Sequence, residues 1–248
     1  MPRWKKLGLV AGAGALPERL AKACQARRED FFVIRLAGIA DADMAQFPGA
    51  ECGLAEAGKL IRVLKSEGCD AVVLCGVVRR PDFRQLKPDW RGAALLPKVV
   101  AAAARGDGAM LGVLVETLES EGFIVVGAEE VLRDLAAGEG PLGALAPGEE
   151  DRADIRKAAA LVRALGPFDV GQGAVVAAGH VLAIEAAEGT DAMLERCVGL
   201  RASAERGGVL VKRPKPGQEL RVDLPTVGVE TVRRVHAAGL AGLAVEDG

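Results

Sequence analysis

The chain has 248 residues, of which half are hydrophobic, and a formal net charge of −2 at pH 7. This apolar content suffices for a buried core and excludes a disordered chain, while the length allows one large domain or two of ordinary size. Aromatic residues make up only 3% of the chain, and charges of both signs are interspersed. We therefore expect no nucleic-acid partner.

The expected compartment follows from cysteine usage and hydropathy. The five cysteines lack any CxxC pair or zinc-like spacing, which favours reduced thiols in a cytosolic protein. The first residues have neither the apolar core nor the cleavage site of a signal peptide, and charges interrupt every apolar run before it could span a membrane. The sequence therefore predicts a soluble cytoplasmic protein.

The first half of the chain alternates apolar strands with helices. Strands are predicted at residues 6–12, 31–36, 70–78 and 123–128, and helices at residues 16–28, 57–68, 94–105 and 108–122. Continuous apolar strands separated by helices indicate a parallel sheet that is covered on both faces. We therefore predict an α/β fold that begins with a Rossmann-like domain over residues 1–135.

A stretch rich in Gly, Pro and Glu, residues 136–151, is predicted to link this domain to a second one over residues 152–248. The second domain begins with a helix, which is followed by two strand-like runs that form a hairpin around Gly179. A helix capped by Thr190, two further strands around a Pro-Gly loop and a final helix come next. These elements predict a smaller, mixed α/β C-terminal domain.

One strand-like run in this domain ends in a carboxylate. Apolar residues alternate with Arg221 and Asp223 across residues 219–224, and Pro225, which cannot donate to a ladder, ends the strand. Asp223 is thus predicted at the carboxyl end of a strand, beside a loop and a helix start, where open α/β sheets bind ligands. The alternative, which the strand alone favours, is an acidic residue that pairs with Arg221 or caps the following turn.

The first strand leads into a glycine-containing loop. Gly12, Gly14 and Ala15 lie at its junction with a helix, whose first amides can hold a phosphate. The dinucleotide fingerprint needs a further glycine where Pro17 stands, so the loop favours contact with a nucleotide phosphate and not a nicotinamide cofactor. Ordinary turn chemistry explains it almost as well. Gly76 lies in a second loop, which could grip a pyrophosphate or contact the other domain. We favour a solvated charge cluster as the interpretation of its two arginines.

Further candidates follow in the second half. Gln172 stands between two glycines just before a strand, where small neighbours let a ligand approach. Gly189, Thr190 and Asp191 begin a helix after two glutamates, and carboxylates beside a glycine turn could hold Mg²⁺. Helix capping is the default for Thr190 or Asp191 alone.

A basic loop precedes Asp223. Lys212 and Lys215 lie close in sequence to Gln218 and Asp223, and they supply positive charge that could meet a phosphate. The alternative is a loop whose charges are simply solvated. The residue types in this loop are therefore compatible with phosphate chemistry without requiring it.

Taken together, five segments resemble the UDP-2,3-diacylglucosamine pyrophosphatases of the LpxI type. They are KLGLVAGAGALP, GCDAVVLCGVVRRPDF, ARGDGAML, DVGQGAVVAAGHVLAIEAAEGTDAML and KRPKPGQELRVDLPTVGVETV. The match runs in order along the chain from about residue 6. The last two segments are specific to the family, whereas the N-terminal glycine loop is not.

The resemblance implies two α/β domains with the lipid product bound between them. It also implies a step of lipid A biosynthesis, the Mg²⁺-dependent hydrolysis of UDP-2,3-diacylglucosamine to 2,3-diacylglucosamine 1-phosphate (lipid X) and UMP. It assigns the catalytic aspartate of an Asp-x-Pro-x-x-Gly motif to Asp223. We hypothesise that Asp223 binds Mg²⁺ or orients the attacking water, with Lys212 and Gln218 assisting and Asp191 as a second acidic metal ligand. The remaining candidates for substrate binding are Gly12, Gly14, Ala15, Gly76, Gln172, Gly189 and Thr190.

The chain departs from the family at two points. Gly108 stands where the family usually has an acidic residue, and the family normally continues beyond GLAGLAVEDG, so we expect either a fragment or a chain with a shortened C-terminal domain. A diacylated substrate implies peripheral contact with the inner membrane at its cytoplasmic face. The chain could act as a monomer or as a homodimer. The alternative function is that of a non-catalytic nucleotide-sugar or lipid-binding protein derived from this family.

Overall fold

The computed structural model describes residues 2–200 and 205–246, and it divides into two compact units between Leu135 and Ala136. Among these described residues, no helix combines the length and the hydropathy that a membrane span requires. Each unit has its own sheet and its own hydrophobic core, so each is described by itself.

The N-terminal unit is built on a sheet of five parallel strands. The strands are β1 (Lys6–Ala11), β2 (Asp30–Leu36), β3 (Gly49–Cys52), β4 (Ala71–Cys75) and β5 (Ile124–Val125), in the spatial order β3-β2-β1-β4-β5. The helices are α1 (Ala15–Arg27), α2 (Ala57–Ser66), α3 (Trp90–Ala103), α4 (Asp107–Ser120) and α5 (Ala128–Val131). From β1 the chain adds β2 and β3 on one side of the sheet and then β4 and β5 on the other. Right-handed crossovers in these two directions put the connecting helices on opposite faces. The Rossmann-like prediction is confirmed.

Buried apolar side chains hold this sheet against α1. Leu7 of β1 and Val73 of β4 are fully buried and share a cluster with Leu20 and Cys24 of α1. All five cysteines are buried free thiols. Burial raises the pKa of Cys75 to about 12, so this thiol stays protonated and unreactive at neutral pH.

The C-terminal unit is built on a mixed sheet of four strands. Its elements are α6 (Glu149–Leu165), β6 (Gly173–Ala177), β7 (His180–Ile184), α7 (Gly189–Cys197), β8 (Val209–Lys212), α8 (Val229–Ala237) and β9 (Gly242–Val245). The spatial order is β7-β6-β8-β9, and only the β8–β9 pair is parallel. The prediction of a smaller mixed α/β unit is therefore confirmed, including its hairpin of β6 and β7.

The two faces of this mixed sheet bury different helices. On one face, Ala158 and Val162 of α6 pack with alternate residues of β6 and β8. On the other face, Met193 of α7 and Val235 of α8 pack with Val175 of β6. One face of the sheet is therefore covered by α6, and the other is covered by α7 and α8.

The predicted strand at residues 219–224 is wrong, because this segment forms a turn. The amides of Val222 and Asp223 both donate to the carbonyl oxygen of Glu219, at 3.2 and 3.1 Å. The carboxylate of Glu219 also accepts hydrogen bonds from the backbone amide and the guanidinium of Arg221. Such local bonds compete with a strand ladder. Asp223 therefore lies in the loop between β8 and α8 and not at a strand end.

Asp154 of α6 holds the turn of the β6–β7 hairpin. This aspartate is 2% exposed, and its carboxylate accepts hydrogen bonds from the amides of Ala178 and Gly179 at 2.9 and 2.8 Å. Both turn residues have positive φ, 48° and 75°, a conformation that costs an alanine about 1 kcal/mol. Asp154 thus fixes the hairpin to the helix and offsets the strain of its turn.

Asp154→Asn is expected to lower the free energy of unfolding of this unit by about 2–3 kcal/mol. The new amide group turns an N–H toward a backbone N–H, so one of the two turn amides loses its acceptor. Urea unfolding followed by circular dichroism measures the loss. Glu150→Gln, at the exposed start of the same helix, is the control, and equal midpoints for the two variants would contradict this role of Asp154.

Candidate active site

Three strand positions meet at one end of the C-terminal sheet. Lys212, the last residue of β8, is paired with Gly173 of β6. The amide of Glu185, just past β7, donates to the carbonyl oxygen of Gly173 at 2.8 Å. Side chains that oppose each other across antiparallel strands point to the same face. Glu185 and Lys212 therefore flank Gly173 on the face that α7 covers.

A hydrogen-bonded chain connects these two residues. The ammonium group of Lys212, a residue only 8% exposed, donates to Thr190 Oγ1 at 2.9 Å and to the carbonyl oxygen of Thr226 at 3.2 Å. The Thr190 hydroxyl in turn donates to Glu185 Oε1 at 2.8 Å. Thr190 lies within the first turn of α7, so the prediction that it caps this helix is wrong, and Glu188 is the N-cap residue.

Asp223 is held from two sides within its loop. The side-chain amide of Gln172 donates to Asp223 Oδ1 at 2.9 Å and so orients the carboxylate. The side-chain amide of Gln218 donates to the backbone carbonyl of Asp223, and Gln218 Oε1 accepts from the amide of Lys215 at 2.8 Å. The structure thus brings Gln172 and Gln218 to Asp223, whereas Lys212 contacts the same loop at Thr226.

The remaining candidates of this unit lie at the start of α7. Gly189 has φ 79°, a value that favours glycine, and its amide donates to the carbonyl oxygen of Ala186 at 3.1 Å. Asp191 is exposed and forms an ion pair of 3.5 Å with Arg234 of α8. The predicted second metal ligand is therefore engaged by a cation that links α7 to α8.

The donor set restricts how Mg²⁺ could bind. Within residues 2–200 and 205–246, no group of three or more His, Cys, Asp or Glu residues is arranged to hold a metal ion. Mg²⁺ at phosphate sites commonly takes one or two protein carboxylates and shares the rest of its shell with water and phosphate. Asp223, a half-buried carboxylate oriented by Gln172, fits this second mode.

Gly12 and Gly76 stand where two loops of the N-terminal unit touch. A Cβ on Gly12 would lie 2.8 Å from the carbonyl oxygen of Val77, and one on Gly76 would lie 2.7 Å from that of Ala13. Ala13 and Val77 also exchange two backbone hydrogen bonds, of 3.0 and 2.7 Å. These glycines let the loops after β1 and β4 meet main chain to main chain, which is a packing role distinct from phosphate contact.

Gly14 and Ala15 complete the loop after β1. Gly14 has φ 93° and is the N-cap residue of α1, which begins at Ala15. The amide of Gly14 donates to Asp41 Oδ2 at 2.7 Å. A carboxylate of the chain itself therefore bonds one of the amides that the sequence offers to a phosphate.

The N-terminal unit also contains a cleft of about 620 Å³ beyond the carboxyl ends of β2 and β3. Acidic, basic and apolar side chains line it, among them Glu51, Lys59, Asp82 and Leu86. Sequence patterns do not indicate this cleft, because β3 has no apolar run. The sequence indicated Glu185 only by its place before the Gly-Thr-Asp helix start, and its contacts were missed because they depend on strand register.

The fold and the cluster around Lys212 define a two-domain α/β protein whose C-terminal unit gathers a buried lysine and a glutamate around one threonine. The family model of the LpxI N-terminal domain matches residues 6–135, and that of the LpxI C-terminal domain matches residues 138–248. The chain is 50% identical over 249 residues to the UDP-2,3-diacylglucosamine pyrophosphatase LpxI of Caulobacter vibrioides, with 98% of this chain and 89% of that protein covered. This chain belongs to the LpxI family.

Proposed function

We propose that the chain hydrolyses UDP-2,3-diacylglucosamine to 2,3-diacylglucosamine 1-phosphate (lipid X) and UMP. The observation that carries this proposal is the 50% identity, over 98% of the chain, to a protein named for that activity. The cluster in the C-terminal unit supports it, because a buried ammonium group and an oriented carboxylate are residue types that pyrophosphate hydrolysis uses.

The proposed reaction exchanges one P–O bond for another. Water attacks the sugar-linked phosphorus, and the bond between that phosphorus and the bridging oxygen breaks. The bridging oxygen leaves as part of UMP, the sugar keeps its phosphate, and the protons of water pass to solvent or buffer. Catalysis then requires a positioned water and cationic groups near the phosphoryl oxygens, where negative charge grows.

Each residue of the cluster has a proposed role in this reaction. Asp223, oriented by Gln172, holds the attacking water or a metal ion, and Gln218 fixes the backbone beneath it. The ammonium group of Lys212 donates two of its hydrogen bonds to Thr190 and Thr226. Its third N–H is available to a phosphate oxygen. Mg²⁺ is the proposed cofactor, and it would supply neutralisation of phosphate charge when bound at Asp223.

The experiment that tests the proposal is UMP release from UDP-2,3-diacylglucosamine by the full chain, with Mg²⁺ and with a chelator. Turnover that depends on Mg²⁺ would support both the reaction and the cofactor. Turnover that survives the chelator would remove the cofactor only. Affinity for the substrate without UMP release would instead identify a non-catalytic nucleotide-sugar or lipid-binding protein.

We further propose that the chain acts in the cytoplasm at the surface of the inner membrane, where a diacylated substrate resides. Residues 77–106 contain seven basic and two acidic residues, a net charge of +5 in a chain of net charge −2. In this segment Val77, Val100 and Trp90 are exposed, Trp90 by 72%. Exposed tryptophan and aliphatic side chains beside lysine and arginine are typical of surfaces that bind anionic bilayers.

Trp90→Ala is expected to weaken binding to vesicles that contain anionic phospholipid by about tenfold, because a membrane-inserted indole contributes at least ~1.5 kcal/mol. Vesicle co-sedimentation of the full chain measures the effect. Phe168→Ala, at an equally exposed aromatic residue of the C-terminal unit, is the matched control. If Trp90→Ala instead dissociates a homodimer in analytical ultracentrifugation and leaves vesicle binding unchanged, the surface binds a second copy and the membrane proposal is wrong.

A further inference from the structure

The cluster contains a carboxylate oxygen that its surroundings do not explain. Glu185 Oε2 is buried and has no hydrogen-bond partner among the described residues. A Cβ on Gly173 would lie 2.6 Å from this oxygen, so the absence of a side chain at residue 173 provides the room for it. Burying an acceptor without a partner costs free energy. A role of the other carboxylate oxygen in the site would explain why a glutamate is kept here.

The other oxygen of Glu185 determines which group donates and which accepts at each hydrogen bond from Lys212 through Thr190 to Glu185. An ammonium group can only donate, so the Thr190 hydroxyl must accept from Lys212. The hydroxyl has one proton, and Glu185 Oε1 accepts it at 2.8 Å. Glu185 thereby fixes the rotamer of the Thr190 hydroxyl and keeps its lone pair turned toward Lys212.

These hydrogen bonds also fix the orientation of the Lys212 ammonium group. Thr190 and the carbonyl of Thr226 take two of its three N–H donors, and the third has no partner among the described residues. A tetrahedral ammonium with two donors fixed has one direction left for the third. The negative charge of Glu185, one hydroxyl away, also balances a cation that is almost fully removed from water.

We infer that Glu185 is a positioning residue that acts through Thr190 to aim the ammonium group of Lys212 at a phosphoryl oxygen of the substrate. The inference rests on the proposed pyrophosphate hydrolysis and names the part of the cluster that orients its cation. We call Glu185, Thr190 and Lys212 the relay. In this relay Glu185 does not need to contact the substrate. A residue of this kind changes turnover because misplacing a catalytic group by about 1 Å can cost ~10²-fold in rate.

The test compares kcat and KM for UMP release by the full chain and its variants. Thr190→Val removes the hydroxyl at constant shape, and Glu185→Met removes both the charge and the oxygen that accepts the Thr190 proton. Each is expected to lower kcat by roughly 10- to 100-fold with KM changed by less than about threefold. Thr190→Ser, which keeps the hydroxyl, should stay within about threefold of the unchanged chain. Thr117→Val, at a threonine of α4 that bonds only its own helix, is the matched control.

A double variant separates positioning from a general loss of stability. If Glu185 works through Lys212, adding Glu185→Met to Lys212→Met should lower kcat by less than about twofold, because the relay is already broken. Fully additive losses, or activity in Thr190→Val equal to that of Thr117→Val, would overturn the relay while leaving the proposed hydrolysis intact. Absence of UMP release by the unchanged chain would overturn the hydrolysis itself, and the relay with it.

Discussion

Asp223→Asn is expected to lower UMP release by at least about 10³-fold while the chain stays folded and still binds UDP-2,3-diacylglucosamine. Asparagine has nearly the same shape and can still bond the Gln172 amide through its oxygen. It lacks the negative charge that would hold Mg²⁺ or take a proton from water. The measurement is single-turnover UMP release, together with equilibrium binding of the substrate in detergent micelles.

The control for Asp223→Asn is the same exchange at Asp43, an exposed residue of the N-terminal unit. Asp43→Asn should leave UMP release unchanged. Near-normal turnover in Asp223→Asn would exclude the catalytic role, and lost substrate binding would show that Asp223 serves the ground state and not the reaction. Both outcomes can be distinguished from misfolding by the melting temperature.

Lys212→Met is expected to lower kcat/KM by about 10²- to 10³-fold, the range found when one charged or hydrogen-bonding group is removed from a developing oxyanion. Methionine fills similar space in the buried site but donates no hydrogen bond. Lys212→Arg should not restore activity, because a planar guanidinium cannot reproduce the compact donor geometry at Thr190 and Thr226. Steady-state UMP release measures both variants.

The stability of Lys212→Met provides a second observation. Replacing a buried cation with an apolar side chain removes a desolvation cost, but it leaves Glu185 without its balancing charge, so we expect a lower melting temperature. Lys22→Met is the control, since Lys22 makes only a surface pair with Glu18 and should alter neither quantity. Full activity in Lys212→Met would exclude its role toward phosphate.

Hydrophobic patterns predict four strands of the N-terminal sheet but not the edge strand β3. β1 and β4 are continuous apolar runs, and the structure buries them as expected. β3 has the sequence Gly-Ala-Glu-Cys, which carries no such signal. It is a strand because it pairs with β2, where a Cβ on Gly49 would lie 2.2 Å from the carbonyl oxygen of Val33. Tertiary pairing, and not local preference, forms this element.

The candidate site shows the same division. The Asp-x-Pro-x-x-Gly motif points to Asp223 by resemblance, yet the strand predicted to carry it is a turn, because Glu219 and Arg221 bond locally. The contacts of Glu185 depend on the register of β7 against β6, which shifts at Val175 and Val176. A shift of one residue would move the carboxylate to the other face of the sheet, so no sequence pattern could have assigned its partners.

The contact between the loops at Gly12 and Gly76 shapes the N-terminal sheet at the carboxyl ends of its central strands. Two amide–carbonyl bonds between Ala13 and Val77 fasten the neighbouring strands β1 and β4 just beyond their ends. A methyl group added at either glycine would clash with a carbonyl oxygen of the opposite loop. The rim between these strands is therefore shaped by backbone atoms, and its contour should survive most exchanges of the side chains around it.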